Sequence, residues 1–178
     1  MNILVLGASS TIGSSIVKSF AKDNKLFLLS TKREKLETLK KEALALGCQS
    51  VKIVEADLQS PIIVTDLISE SIDMIINVAC ASSSLKNYNI EPHRHQYYTA
   101  VDLSSPLVIL EHFLKEKSKQ GESTQLYYIF INTILSKIKS PDYSIYYSYK
   151  ILQQEYMSGF QRKYGDILKS INVIVGTQ

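Results

Sequence analysis

The chain has 178 residues, which suits one domain, and with 45% hydrophobic residues it can bury a full core. The net charge of +3 is mild and the lysines are spread through helical stretches, so composition makes no case for nucleic acid. No apolar run reaches the ~18 residues of a membrane span, and the N-terminal MNILVLGASS lacks the basic flank and cleavage site of a signal peptide. Cys48 and Cys80 are isolated, without a CxxC spacing, and read as reduced thiols of a cytoplasmic protein.

Ile3 to Leu6 is a short apolar run, expected as a strand buried on both faces. It ends at Gly7, where the turn Gly7-Ala8-Ser9-Ser10-Thr11-Ile12-Gly13 leads into a helical pattern with Ile16, Val17 and Phe20. Strand, glycine turn and helix together form a site for an anionic group. The helix N-terminus presents free backbone N–H groups and the positive end of its dipole. Gly7 permits the tight turn, and Gly13 lets helix and strand approach closely. No GK[ST] follows, which disfavours phosphoryl transfer. The plain alternative is an ordinary strand-to-helix turn.

Lys25 to Ser30 is expected as the second strand, followed by Ser30-Thr31-Lys32-Arg33 and a helix that runs to about Leu46 and stops at Gly47. No acidic residue ends this strand to grip a ribose 2′-hydroxyl. Hydroxyls and two cations stand there instead, favouring a 2′-phosphate and hence NADP over NAD. The alternative for Lys32 is a solvated basic helix start. Val51 to Ala56 is a third strand, closed by Asp57-Leu58, and Ser60-Pro61 opens a helix expected to reach about Glu70. Met74 to Val78 is the fourth strand, running into Asn77-Val78-Ala79-Cys80, with a polar loop expected from Ala81 to Asn89.

Glu91-Pro92 opens a long helix to about Lys117, with Leu103, Leu107, Leu110 and Leu114 among its apolar positions. Pro106 lies inside it and should bend it. His93 and His95 lack carboxylate or cysteine support, so no metal is implied. Gln125 to Asn132 is the fifth strand and Thr133 to Asp142 a loop. A tyrosine-rich helix then ends near Gly165, and Ile167 to Val175 is the sixth strand. Within YSIYYSYK, Tyr143 to Lys150, only Tyr146 has a lysine four positions later. On a helix that spacing puts both groups on one face. A phenol titrates near ~10 and a neighbouring cation favours its charged form, so the pair can pass a proton to or from a substrate oxygen. Taken alone, the spacing also arises by chance. Strand and helix alternate throughout, without repeat or linker. The expected fold is a single-domain α/β doubly wound parallel sheet, a Rossmann fold of strand order 3-2-1-4-5-6. Its ligand would lie at the carboxyl ends of strands one and four.

These elements, in order, resemble the short-chain dehydrogenases/reductases over nearly the whole chain. Gly7 to Gly13 is similar to the family's TGxxxGxG turn, which implies dinucleotide binding by Gly7, Ser9, Ser10, Thr11, Ile12 and Gly13. Asp57-Leu58 is similar to the acidic position after strand three that contacts the adenine. Asn77 to Cys80 resembles NNAG, which sets Asn77, Ala79 and Cys80 beside the cofactor. Tyr146-x-x-x-Lys150 matches YxxxK, the catalytic serine falls on Thr133, and Ser140-Pro141 keeps the usual register. The resemblance implies interconversion of a small carbonyl compound and its alcohol by hydride transfer, with NADPH as donor for reduction and NADP+ as acceptor for oxidation, NADP(H) being preferred over NAD(H). Tyr146 would donate the proton, Lys150 would lower its pKa and bind the nicotinamide ribose, and Thr133 would hold the carbonyl.

The departures are as specific as the matches. Leu6 replaces the threonine before the first glycine, and Thr11 stands at the middle glycine, where its Cβ would crowd the pyrophosphate. Cys80 replaces the last residue of NNAG. Thr133 keeps a hydroxyl but adds a methyl that restricts its rotamer. Asp102 takes the place of an active-site asparagine that works through its backbone carbonyl, holding a water next to the lysine. Its carboxylate would add a charge near Lys150. The chain ends where the family continues into a substrate-covering lobe and a seventh strand, so a short or incomplete member with weak, unselective turnover is expected. A dinucleotide-binding protein without catalysis, such as a redox sensor or complex subunit, is the alternative. Phe113, Leu114, Tyr156 and Phe160 are expected on exposed faces of the long helix and the tyrosine helix. There they would join copies into a two-fold dimer, or a tetramer.

Overall fold

The computed structural model describes residues 1–60, 64–66, 68–81, 92–120, 124–138 and 143–176. The strands are β1 (Asn2–Leu6), β2 (Lys25–Ser30), β3 (Ser50–Glu55), β4 (Met74–Asn77), β5 (Leu126–Thr133) and β6 (Leu168–Val175). The helices are α1 (Thr11–Ser19), α2 (Arg33–Ala45), α3 (Pro92–Thr99), α4 (Ser105–Gln120), α5 (Leu135–Ile138) and α6 (Ser144–Tyr164). All six strands pair in parallel, in the order β3-β2-β1-β4-β5-β6.

The run Ile3–Leu6 lacks polar alternation because helices cover both faces of the sheet. Ile3 and Val5 pack with Val17, Leu28 and Leu36, under α1 and α2. Leu4 and Leu6 point the other way, into a second core with Leu29, Ile75, Phe113 and Phe130. Strand order reverses at β1, so connections leave β1 and β4 in opposite directions and a crevice opens at their carboxyl ends. Among the described residues, no helix is long and apolar enough to cross a membrane.

Several boundaries differ from expectation. The long helix after Pro92 is interrupted by a π turn, Ala100–Ser104, in which the Ser105 N–H donates to the Ala100 carbonyl. Pro106 has no N–H to give the Asp102 carbonyl four residues earlier, so an unbroken α-helix cannot pass this point. The helix opened by Ser60-Pro61 is helical at 64–66 but no longer so at Ile68 and Ser69, short of Glu70. Its start, the loop from 82, Glu91 and the Ser140-Pro141 pair lie outside the described residues. The expected loop after Thr133 contains α5. Phe113 and Leu114, expected on an exposed face, are core residues because they lie on the side of α4 that faces β5.

Candidate functional site

The first wall of the crevice is the turn between β1 and α1. Gly7 adopts φ +82, a region that L side chains rarely enter, and a Cβ there would stand 2.8 Å from the Ala79 nitrogen. Its N–H and that of Ala8 both donate to the Leu29 carbonyl at 3.0 Å. Ser10 caps α1, its hydroxyl accepting from the Gly13 N–H at 3.0 Å. A Cβ on Gly13 would collide with the carbonyl oxygens of Gly7 and Ala8. The turn is therefore folded tightly enough that the N-terminus of α1 opens onto the crevice.

The crevice is lined by Gly7, Ser9 and Ser10 from this turn, and by Ser30, Thr31 and Lys32 after β2. Asp57 and Leu58 follow from β3, and Ala79 and Cys80 from β4. The Ser9 and Ser30 hydroxyls hydrogen-bond at 2.5 Å, tying the turn to β2. Asp57 is fixed by accepting from the Gln59 N–H at 2.9 Å. Tyr97 and Val101 also line the crevice, opposite these strand ends, and sequence reasoning missed both. Burial and the nearby carboxylates of Asp57 and Asp102 push the Tyr97 phenol above its usual pKa.

Besides Tyr146 and Lys150, described below, five expected cofactor contacts do not line this crevice: Thr11, Ile12, Gly13, Arg33 and Asn77. Thr11 lines a groove between α1 and α2 with Ser14 and Lys18 instead of the crevice. Ile12 is exposed and Gly13 is buried behind the turn. Arg33 pairs with Glu55 at 3.2 Å and with Glu37 at 3.6 Å. Asn77 turns into the core. Its Nδ2 donates to the Tyr128 hydroxyl at 3.1 Å, and its Oδ1 accepts from the Ala79 N–H at 3.2 Å. Gln153, one turn after Lys150 on α6, donates to the same Tyr128 hydroxyl at 3.4 Å. A buried tyrosine hydroxyl finds partners, and the only prior sign of this chain was Tyr128 sharing a strand face with Leu126 and Phe130.

The chemical end of the site lies where α6 meets β5 and the π turn. Tyr146 is half-buried, and burial pushes its phenol up to about 12, helped by Cys80 and Asp102 and opposed by a hydrogen bond from Thr133. Lys150 is buried, with its Nζ 6.0 Å from the Tyr146 ring centre. The phenol is thus raised where the sequence led us to expect it lowered, because burial is the largest influence on it and exceeds the opposing hydrogen bond from Thr133. Among the described residues, Lys150 has no carboxylate partner within ion-pair distance. Thr133 is buried at the end of β5, and its hydroxyl accepts from the Leu135 N–H at 3.2 Å. Asp102 is buried in the π turn. Its carboxylate accepts from the Ala81 N–H at 2.5 Å and from the Cys80 thiol at 3.7 Å, fastening the exit of β4 and one crevice wall.

The residues present fit a dinucleotide. A close-approach turn meets a helix N-terminus at one end. A buried ammonium, a phenol and a hydroxyl stand at the other. The family described as short chain dehydrogenase matches residues 1–175. No curated protein matches by sequence. Among solved structures, the chain is similar to a bulky-bulky ketone specific alcohol dehydrogenase from Comamonas testosteroni. The two share 16% identity at a TM-score of 0.88, covering 99% of this chain and 72% of that one. It is similar also to a serine dehydrogenase from Escherichia coli, at 16% identity and TM-score 0.84, covering 99% and 82%. An NADH-dependent reductase complexed with NAD gives 18% identity and TM-score 0.84, covering 99% and 78%. At such identities the likeness extends to the fold.

Proposed function

This chain belongs to the short-chain dehydrogenase family, and we propose that it interconverts a small carbonyl compound and its alcohol with NADP(H), using Tyr146 as proton donor and acceptor. The observation that carries this reading is the convergence of Tyr146, Thr133 and Lys150 beside a crevice whose glycine turn fits a pyrophosphate. The nicotinamide supplies or accepts the hydride when it is bound. Tyr146 gives its proton to the carbonyl oxygen, and the Thr133 hydroxyl steadies that oxygen. Lys150 would hold the ribose, and its ammonium balances charge near the phenol. Asp102 acts through the crevice wall it fastens.

NADPH is favoured because Lys32 lines the crevice beside Ser30 and Thr31, where a 2′-phosphate would lie. Replacing Lys32 with alanine should weaken NADPH by about tenfold and leave NADH nearly unchanged, as a charge-assisted phosphate contact contributes on that order. Titration of both dinucleotides into the two proteins, followed by NADPH oxidation against aldehydes and ketones, tests the whole reading. Equal affinities in the unmutated chain would overturn the cofactor preference. Binding without turnover would instead favour a dinucleotide-binding protein, a reading that the Cys80 thiol on the crevice wall also suits.

A further inference from the structure

We propose that Glu55 is a specificity-determining residue, which withholds Arg33 from the crevice and narrows the preference for NADPH over NADH. The inference rests on the reading that the crevice takes NADP(H). In the parallel ladder, Glu55 of β3 is the register partner of Ser30 of β2. Ser30 lines the crevice. A carboxylate therefore stands one strand away from the hydroxyls and cations that follow β2. It meets the Arg33 guanidinium, Nη1 to Oε2, at 3.2 Å, while Nη2 reaches Glu37 at 3.6 Å.

The consequence is visible in where the two neighbouring cations go. Lys32 lines the crevice. Arg33 lines a different groove, along β2 and β3, in the company of Glu37 and Lys52. A guanidinium has a fixed fork of donors. While one nitrogen faces Glu55 and another Glu37, fewer donors remain for a phosphate. The end of β2 carries no carboxylate of its own, but β3 delivers one to the same edge.

The test is a cycle of four proteins: the unmutated chain, Glu55→Gln, Arg33→Ala and the double variant. Glutamine keeps the shape and removes the charge. Dissociation constants for NADPH and NADH are measured at low ionic strength. Glu55→Gln should tighten NADPH about three- to fivefold, the scale of an exposed ion pair released, and move NADH by less than about twofold. In the Arg33→Ala background the same substitution should lose most of this effect. The inference is overturned if both dinucleotides shift together, if neither shifts, or if the NADPH gain persists in full without Arg33. Where the unmutated chain binds NADPH, those results remove only the role of Glu55. Where it binds neither dinucleotide, the functional reading falls and this inference with it.

Discussion

Tyr146 holds its proton through the neutral range, because burial has moved its phenol up to about 12. That sign fixes how each direction of the reaction should respond to pH. Carbonyl reduction needs the protonated phenol, so its kcat/KM should stay level from pH 6 to about 9. Alcohol oxidation needs the phenolate, whose fraction grows tenfold for each pH unit below the pKa. Its kcat/KM should therefore climb steadily to at least about pH 10. A pH–rate profile for oxidation that levels off near pH 7 would show that the bound dinucleotide resets the phenol entirely. Tyr146→Phe should lower turnover by at least about a hundredfold, the usual contribution of a positioned proton donor, with dinucleotide affinity nearly intact. Lys150→Ala should damage both, since the ammonium lies 6.0 Å from the Tyr146 ring centre and, on the proposed function, would also hold the ribose. The Tyr146–Lys150 pair was legible in the sequence from its helical spacing. The pKa shift was not, because spacing carries no information about how much water a fold leaves around a phenol.

At the level of elements, α6 is held in place by contacts that its own sequence does not announce. The buried hydroxyl of Tyr128 accepts from Asn77 of β4 and Gln153 of α6, so one strand-borne group links the crevice wall at Ala79 to the helix carrying Lys150. Tyr128→Phe would leave two buried amide donors without their acceptor. The expected loss is about 2 kcal/mol in urea unfolding. Because Gln153 lies three residues beyond Lys150, cofactor affinity should also fall, whereas a purely local packing defect would leave it unmoved. The six strands were readable because their apolar runs match the needs of a sheet covered on both faces. Pro106 showed where the long helix must fail, but not that the backbone would recover through a π turn. Motif matching singled out Asn77 and gave no sign that its side chain turns into the core, to the Tyr128 hydroxyl. The end of β2 was read as free of carboxylates because Glu55 reaches it from a neighbouring strand, through pairing that no local window contains.

For the molecule as a whole, the open question is what covers the outer faces of α4 and α6. Phe113 and Leu114 are core, so the apolar surface there comes from other residues: Val108 on α4, and Leu152 and Tyr156 on α6, each between 44% and 53% exposed. Tyr156 and Phe160 line an apolar depression that Glu155 and Lys163 flank and that Gly159 floors without a side chain. A glycine at that position lets a partner helix approach closely, and the flanking charges of opposite sign can answer each other across a two-fold axis. Large apolar side chains clustered on one face mark an association site more often than scattered ones do. We therefore expect a dimer in which α4 and α6 of each copy meet their counterparts. Light scattering at micromolar concentration should return about twice the mass of 20.1 kDa. Tyr156→Glu, which places a charge in the depression, should return the monomer mass while leaving the unfolding midpoint of the isolated fold nearly unchanged, because the residue is already half exposed. A monomeric mass for the unmutated chain would show that the apolar face serves a different contact. A dimer that persists in Tyr156→Glu would move the interface elsewhere on the molecule.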